Sequence, residues 1–254
     1  IKELYYPKSP YIFSVVSSHL LGQIYELFLK KRITITNGRV NIIQKPEIAH
    51  NLGVVSTPFF VVEEIVKRTL GYACEGKSPL EVTKMKFADM ACGSGSFLLE
   101  AYNWLLDYYL NYYIQTNNQD KIYPGKGNAY FLTFQEKKRI LTTNIFGIDI
   151  DPSAVEITKF GLLIKLLEDE TSASIGLKTN DKILPFLDNN IKCGNSLVDK
   201  SFFKFKNPLE LTTNDLETLK IFDWKDSFTF FDNGFDVIIG NPPYTRIQVM
   251  RKLF

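Results

Sequence analysis

The run FADMACGSGSFLLEAY, residues 87–102, passes from a short apolar strand pattern through a glycine turn into a helical pattern. Lys86–Met90 reads as a buried strand and Phe97–Tyr112 as the helix after it. Gly93 and Gly95 stand between them, where a missing Cβ lets the backbone approach a ligand closely. A tight connection alone would also use glycine here. The third glycine of the GxGxxG dinucleotide pattern is absent, because Phe97-Leu98 occupies that stretch. Asp89, at the strand's end, is placed to accept a hydrogen bond from an ammonium group.

Outward from this unit the punctuation repeats. IFGIDI (145–150) reads as a second strand, with Pro152 opening a helix that reaches about Leu167. NIKC (190–193) and FDVII (235–239) read as a third and a fourth. Helices are predicted at 58–70, with Thr57 capping, Pro58 in the first turn and Gly71 as the stop, and at 133–143. Strands alternating with helices predict an α/β fold, a Rossmann-like doubly wound parallel sheet with crossover helices on both faces. Ligands in such sheets bind beyond the carboxyl ends of the strands, near the topological switch point. Ala91–Ser96, Asp149–Asp151, Gly194–Ser196 and Asn241–Tyr244 each follow a predicted strand directly.

The remaining segments are peripheral to that core. Residues 12–31 carry Val16, Leu20, Ile24, Leu27 and Phe28 at helical spacing, and ITITNGRVNII (33–43) places Asn37-Gly38 between two β-rich runs. Residues 1–50 are therefore read as an N-terminal helix and hairpin extension, and 51–254 as one domain. QTNNQDKIYPGKGNAYFL (115–132) is polar and glycine-bearing, which predicts a surface insertion without regular structure. Thirty basic residues against 28 acidic ones give a net charge of +2, far from the footprint of a dedicated nucleic-acid-binding domain. Cys74, Cys92 and Cys193 form no disulfide framework and no metal-ligand spacing, so no metal is expected. No apolar run approaches the roughly 20 residues that span a bilayer. A soluble, cytosolic protein is expected.

GIDIDPSAVEITK (147–159) puts Asp149 at a strand end, where a carboxylate can accept both ribose hydroxyl protons, and leaves Asp151 to cap the following helix. KCGNSLV (192–198) puts Asn195 after the third strand, where an amide can bond the edge of an adenine or simply shape a turn. FDVIIGNPPYTR (235–246) carries the sharpest signal. A buried strand runs into Asn241-Pro242-Pro243-Tyr244, and proline cannot continue a ladder. An amino group on a purine ring is a poor nucleophile. The Asn241 side-chain oxygen and the Pro242 carbonyl can each accept one amino hydrogen, favouring a pyramidal nitrogen with its lone pair aimed at an electrophile. A base inside a duplex must be flipped out to reach such a pocket, and Tyr244 supplies a stacking face.

In this order LGQIYELFL (21–29), GVVSTP (53–58), DMACGSGSFLLEAY (89–102), GIDIDPSAVEITK (147–159), CGNSL (193–197) and GNPPY (240–244) cover the chain almost end to end. The whole resembles the amino-methylating DNA methyltransferases, and within them the adenine-specific methyltransferase region of type IIG restriction-modification enzymes. The resemblance implies a class I methyltransferase fold, S-adenosylmethionine as cofactor and the exocyclic N6 of adenine in DNA as target. It implies Thr57, Asp89, Ala91 and the Gly93 and Gly95 backbone around the cofactor's methionine end, Asp149 on the ribose and Asn195 at the adenine edge. Cys92, Phe97, Ile150 and Ser196 complete the implied cofactor set, and Asn241, Pro242, Pro243 and Tyr244 the catalytic motif. Asn195 stands where an acid is usual, and Val54-Val55 replace aromatic residues common before the Thr-Pro pair. Members carry further sheet strands and a recognition domain after this motif, so residues 1–254 are expected to be part of a larger, monomeric prokaryotic polypeptide acting on double-stranded DNA. Two other readings use the same motif: methylation of RNA or of a protein glutamine, and an inactive cofactor- or DNA-binding module.

Overall fold

A two-stranded ribbon and a larger α/β unit make up the described part of the computed structural model, which covers residues 31–36, 38–44, 57–125, 129–175, 183–204, 212 and 219–243. The helix expected over residues 12–31 falls outside the described residues except at Lys31, which begins a strand instead, and the motif residue Tyr244 lies outside them. The chain divides into two compact units, one holding the ribbon and the other spanning 57–243. In the ribbon, β1 (Lys31–Thr36) pairs antiparallel with β2 (Arg39–Gln44) in a register running from Lys31 opposite Gln44 to Thr36 opposite Arg39. Gly38, just before β2, has φ +71°, the positive value that tight hairpin turns use.

In the larger unit, α1 (Phe59–Cys74) and α2 (Pro79–Lys84) precede strand β3 (Phe87–Asp89), followed by α3 (Ser96–Gln115). A short hairpin, β4 (Ile122–Pro124) with β5 (Tyr130–Leu132), leads into α4 (Phe134–Asn144), β6 (Ile145–Asp149) and α5 (Pro152–Leu167). After α6 (Ser172–Ile175) come β7 (Ile191–Cys193), α7 (Trp224–Ser227) and β8 (Val237–Ile238). The four strands β3, β6, β7 and β8 are parallel, in the order β7-β6-β3-β8.

Three local readings need correction. Helix α1 runs through Gly71 to Cys74, and it is Gly76, with φ +69°, that takes the left-handed turn beyond its end. The cap of α1 is Pro58, with no side-chain hydrogen bond, so Thr57 does not cap it. The insertion at 115–132 is not structureless. Ile122 and Leu132 face each other across the β4–β5 pair and are both buried, and Tyr123 stacks on Phe131 at 5.8 Å. Two apolar residues ten apart in a polar stretch carry no periodic signal, yet a hairpin brings them together.

The sheet's two faces are filled differently. Phe87, Ile145, Ile191 and Val237 pack against Val66 and Leu70 of α1, Leu98 and Leu105 of α3, Ile140 and Leu141 of α4, and Leu162 and Leu166 of α5. Ala88, Phe146 and Ile148 point the other way, as strand alternation demands, and are covered by Phe222 and Phe228 with Trp224, Phe230, Phe231 and Phe235 against them. Among the described residues, the second face is therefore sealed by an aromatic cluster and not by long crossover helices. Phe146 sits within 6.0 Å of three of these rings, with the edge-on and tilted geometries that aromatic quadrupoles favour.

Candidate active site

The chain builds outward from β3 to β6 and β7, then returns to place β8 on the other side of β3. The carboxyl ends of β3 and β8 are thus the topological switch point, where such sheets open a crevice. Asp89 ends β3, and Gly240-Asn241 follow β8 after one residue. They come into close register. A Cβ built on Gly240 would overlap the Asp89 carboxylate, so glycine lets the turn after β8 pass this close to the acid.

Asp89 is 2% exposed, and its Oδ1 accepts a hydrogen bond from the Ala91 N–H at 3.0 Å. Burial is the main influence on it. With the neighbouring Asp149 charge adding to that effect against the Ala91 N–H, its pKa is raised to about 7. Asp149 is also raised, chiefly by burial, and the opposing donors are backbone groups: Asp151 N on Oδ1 and Gly93 N on Oδ2, each at 2.8 Å. A carboxylate offers about four lone-pair sites, so two backbone donors leave Asp149 able to accept from a ligand.

The glycine turn between these acids is held from both sides. Asp149 takes the Gly93 N–H, and the Thr158 hydroxyl of α5, fully buried, donates to the Gly93 carbonyl at 2.9 Å. Gly95, φ +84°, is the cap residue of α3, and a Cβ there would lie 2.8 Å from Thr158. The close helix-to-strand packing that a third loop glycine would provide comes instead from β6, where a Cβ on Gly147 would meet Leu98 of α3 at 2.5 Å. Sequence reasoning missed Gly147, Thr158 and Gly240. Each sits inside a quoted motif, yet its role depends on a neighbour far along the chain.

The other expected residues are placed as follows. Cys92 and Phe97 are buried in the main core, and the Cys92 backbone is tied inward, its N–H donating to the Ile148 carbonyl at 2.9 Å and its carbonyl accepting from Gly95 N at 2.8 Å. Burial also raises the Cys92 thiol far from its reactive form. Ile150 is 46% exposed beyond β6, its carbonyl accepting from Lys220 Nζ at 2.8 Å. Asn195 Oδ1 accepts from Leu197 N at 3.1 Å, which holds the turn that leaves Leu197 93% exposed. The Ser196 carbonyl is bound by Trp224 Nε1 at 3.2 Å, and Gly194 N ties this turn to the Asp149 carbonyl at 2.9 Å. Asn241 is half-buried with its Nδ2 donating to Thr57 Oγ1 at 3.0 Å, while Pro242 and Pro243 are exposed. Asp89, Asp149 and the glycine turn share one crevice edge, and Asn241 and Thr57 meet each other.

Two desolvated carboxylates, offset mainly by backbone N–H groups, fit a ligand that brings positive charge and hydroxyl donors. S-adenosylmethionine carries both. Among the described residues no group of three or more His, Cys, Asp or Glu side chains is arranged to hold a metal ion, and no helix is long and apolar enough to cross a membrane.

The parallel sheet, its strand order, the glycine turn after β3 and the acids ending β3 and β6 define a class I methyltransferase fold. The model of the N-6 DNA Methylase family matches residues 16–183, and that of the Eco57I restriction-modification methylase family matches residues 143–253. The chain belongs to the N-6 DNA methylase family. It is 42% identical over 254 residues to the type II restriction enzyme and methyltransferase RM.Eco57I of Escherichia coli, covering 100% of this chain and 24% of that protein. It is 27% identical over 202 residues to the adenine-specific methyltransferase PglX of Streptomyces coelicolor, covering 77% of this chain and 15% of that one. A solved DrdV–DNA complex aligns with a TM-score of 0.43 at 14% identity, over 81% of this chain and 16% of that one. The chain spans about a quarter or less of the length of the curated relatives it matches.

Proposed function

We propose that residues 51–254 form the cofactor-binding and catalytic core of a DNA methyltransferase that transfers a methyl group from S-adenosylmethionine to N6 of an adenine flipped out of duplex DNA. The observation that carries this reading is the close approach of Gly240, the residue before Asn241, to the buried Asp89 at the switch point between β3 and β8. When bound, S-adenosylmethionine supplies an activated methyl on a positively charged sulfur. Asp89 and the loop backbone would hold its methionine end, and Asp149 its ribose hydroxyls, with Ala91, Cys92, Gly93, Gly95, Phe97, Ile150, Asn195 and Ser196 around it. Asn241 Oδ1 and the Pro242 carbonyl would accept the two amino hydrogens, turning the nitrogen lone pair toward the methyl. Tyr244 would stack on the extruded base. No strong base is needed, because the amino proton becomes acidic only once the nitrogen carries the methyl, and its loss to solvent follows transfer.

A restriction-modification or related defence role, with DNA as the partner, is supported by what the family and the matched relatives are named for. The test is tritiated methyl transfer to unmethylated DNA by the intact protein and by Asn241→Ala, beside calorimetry with the cofactor. The variant is expected to lose transfer while holding the cofactor as tightly as wild type. Undiminished transfer by Asn241→Ala overturns the reading, and so does incorporation into RNA or protein but not DNA.

A further inference from the structure

We infer that Thr57 is a positioning residue for catalysis, setting the plane of the Asn241 amide. The inference rests on the function proposed above for Asn241. Thr57 and Asn241 are 184 residues apart in the chain, and the Asn241 Nδ2 to Thr57 Oγ1 hydrogen bond of 3.0 Å joins the segment entering α1 to the turn leaving β8. The hydroxyl does not cap α1: the cap position falls on Pro58, which makes no side-chain cap hydrogen bond.

The chemistry explains why such a bond matters. The terminal torsion of an asparagine is broad and two-fold, so an unrestrained amide samples orientations that present its oxygen or its N–H group to the same point. Accepting a hydrogen from the target requires the oxygen. An N–H turned toward the amino group sets donor against donor and leaves the nitrogen lone pair conjugated with the ring. Tying Nδ2 to Thr57 holds that edge of the amide and leaves Oδ1 on the other. Thr57 directly precedes Pro58, the cap of α1, and α1 is fixed to the core by the fully buried Val62, Val66 and Leu70. The resemblance to known methyltransferases assigns Thr57 to the cofactor's methionine end. A hydroxyl that accepts from Asn241 still has its own proton to donate, so the two contacts are compatible, but they predict different kinetic losses.

The experiment compares Thr57→Val, Thr57→Ala and Thr57→Ser in the intact protein. It measures cofactor dissociation constants by calorimetry and kcat at saturating cofactor and DNA. Thr57→Val keeps the shape and removes the hydroxyl, and Thr57→Ala repeats the deletion without a branched side chain. Both are expected to lower kcat roughly 10–100-fold, the scale of a small misplacement of a reacting group, with the cofactor constant within about twofold of wild type. Thr57→Ser is expected to recover most of that loss, since it returns the hydroxyl; general damage to the fold would not be repaired this way. Adding Asn241→Ala to Thr57→Val is expected to cost no more than Asn241→Ala alone. The inference is overturned if either deletion keeps the wild-type kcat, or if the loss lies in cofactor affinity and disappears at saturation. Undiminished transfer by Asn241→Ala instead removes the proposed function, whereas an inactive Asn241→Ala with a fully active Thr57→Val removes only the role of Thr57.

Discussion

At the scale of single residues, Asp89 and Asp149 decide how the crevice behaves, because burial holds both carboxyls above their ordinary range. For Asp89 the sign is clear. Its folded pKa of about 7 lies above the ordinary 3.8, so its contribution to stability is fully present below about pH 4 and is lost as pH rises through about 7. A cation bound beside it reverses that penalty. Cofactor affinity is therefore expected to rise between about pH 5.5 and about pH 8, and Asp89→Asn is expected to flatten the rise. Calorimetry of wild type and variant across that range checks it; equal slopes would remove Asp89 from the cofactor contact. The sequence located both acids, since a strand end followed by a turn is a local pattern. It did not give the Gly93–Asp149 and Gly93–Thr158 bonds, because those partners are 56 and 65 residues away.

At the scale of elements, the seating of α3 on the sheet depends on Gly147. Its missing Cβ leaves the space that the Leu98 side chain of α3 occupies against β6. Gly147→Ala is expected to destabilise the fold by about 1–3 kcal/mol, the usual cost of overpacking a filled core. Leu98 is fully buried, so the displaced side chain has little room to move. The midpoint of urea unfolding measures it, and an unchanged midpoint would show that Leu98 can swing aside. Helical periodicity located α3, α4 and α5 to within a few residues because it is written into neighbouring positions. The β4–β5 pair escaped notice because its stabilising contact, Ile122 with Leu132, is not periodic.

At the scale of the whole chain, net charge bears on the proposed binding of DNA. Thirty basic and 28 acidic residues leave +2, a balance from which little counterion release is expected against a duplex. The 254-residue chain is expected to bind nonspecific duplex DNA weakly, with a shallow dependence on salt, in a fluorescence anisotropy titration. Tight binding that falls steeply between about 50 and about 200 mM salt would contradict that expectation. The unequal faces of the sheet belong to the same scale. One is filled by four helices, and the other, around Phe146 and Ile148, by the rings contributed from 222–235.

The amino-acid sequence by itself determined the alternation of strands and helices, the carboxyl-end turns and the motifs they carry, because periodicity, breakers and caps act between near neighbours. Tertiary structure alone decided which residues those turns meet. It set Gly240 against Asp89, Gly147 beneath Leu98 and Thr57 on Asn241, and it sealed the second sheet face with aromatic rings. The physical reason is distance along the chain. A side chain's role in a crevice is fixed by what the fold brings to it, and those partners lie tens to nearly two hundred residues away.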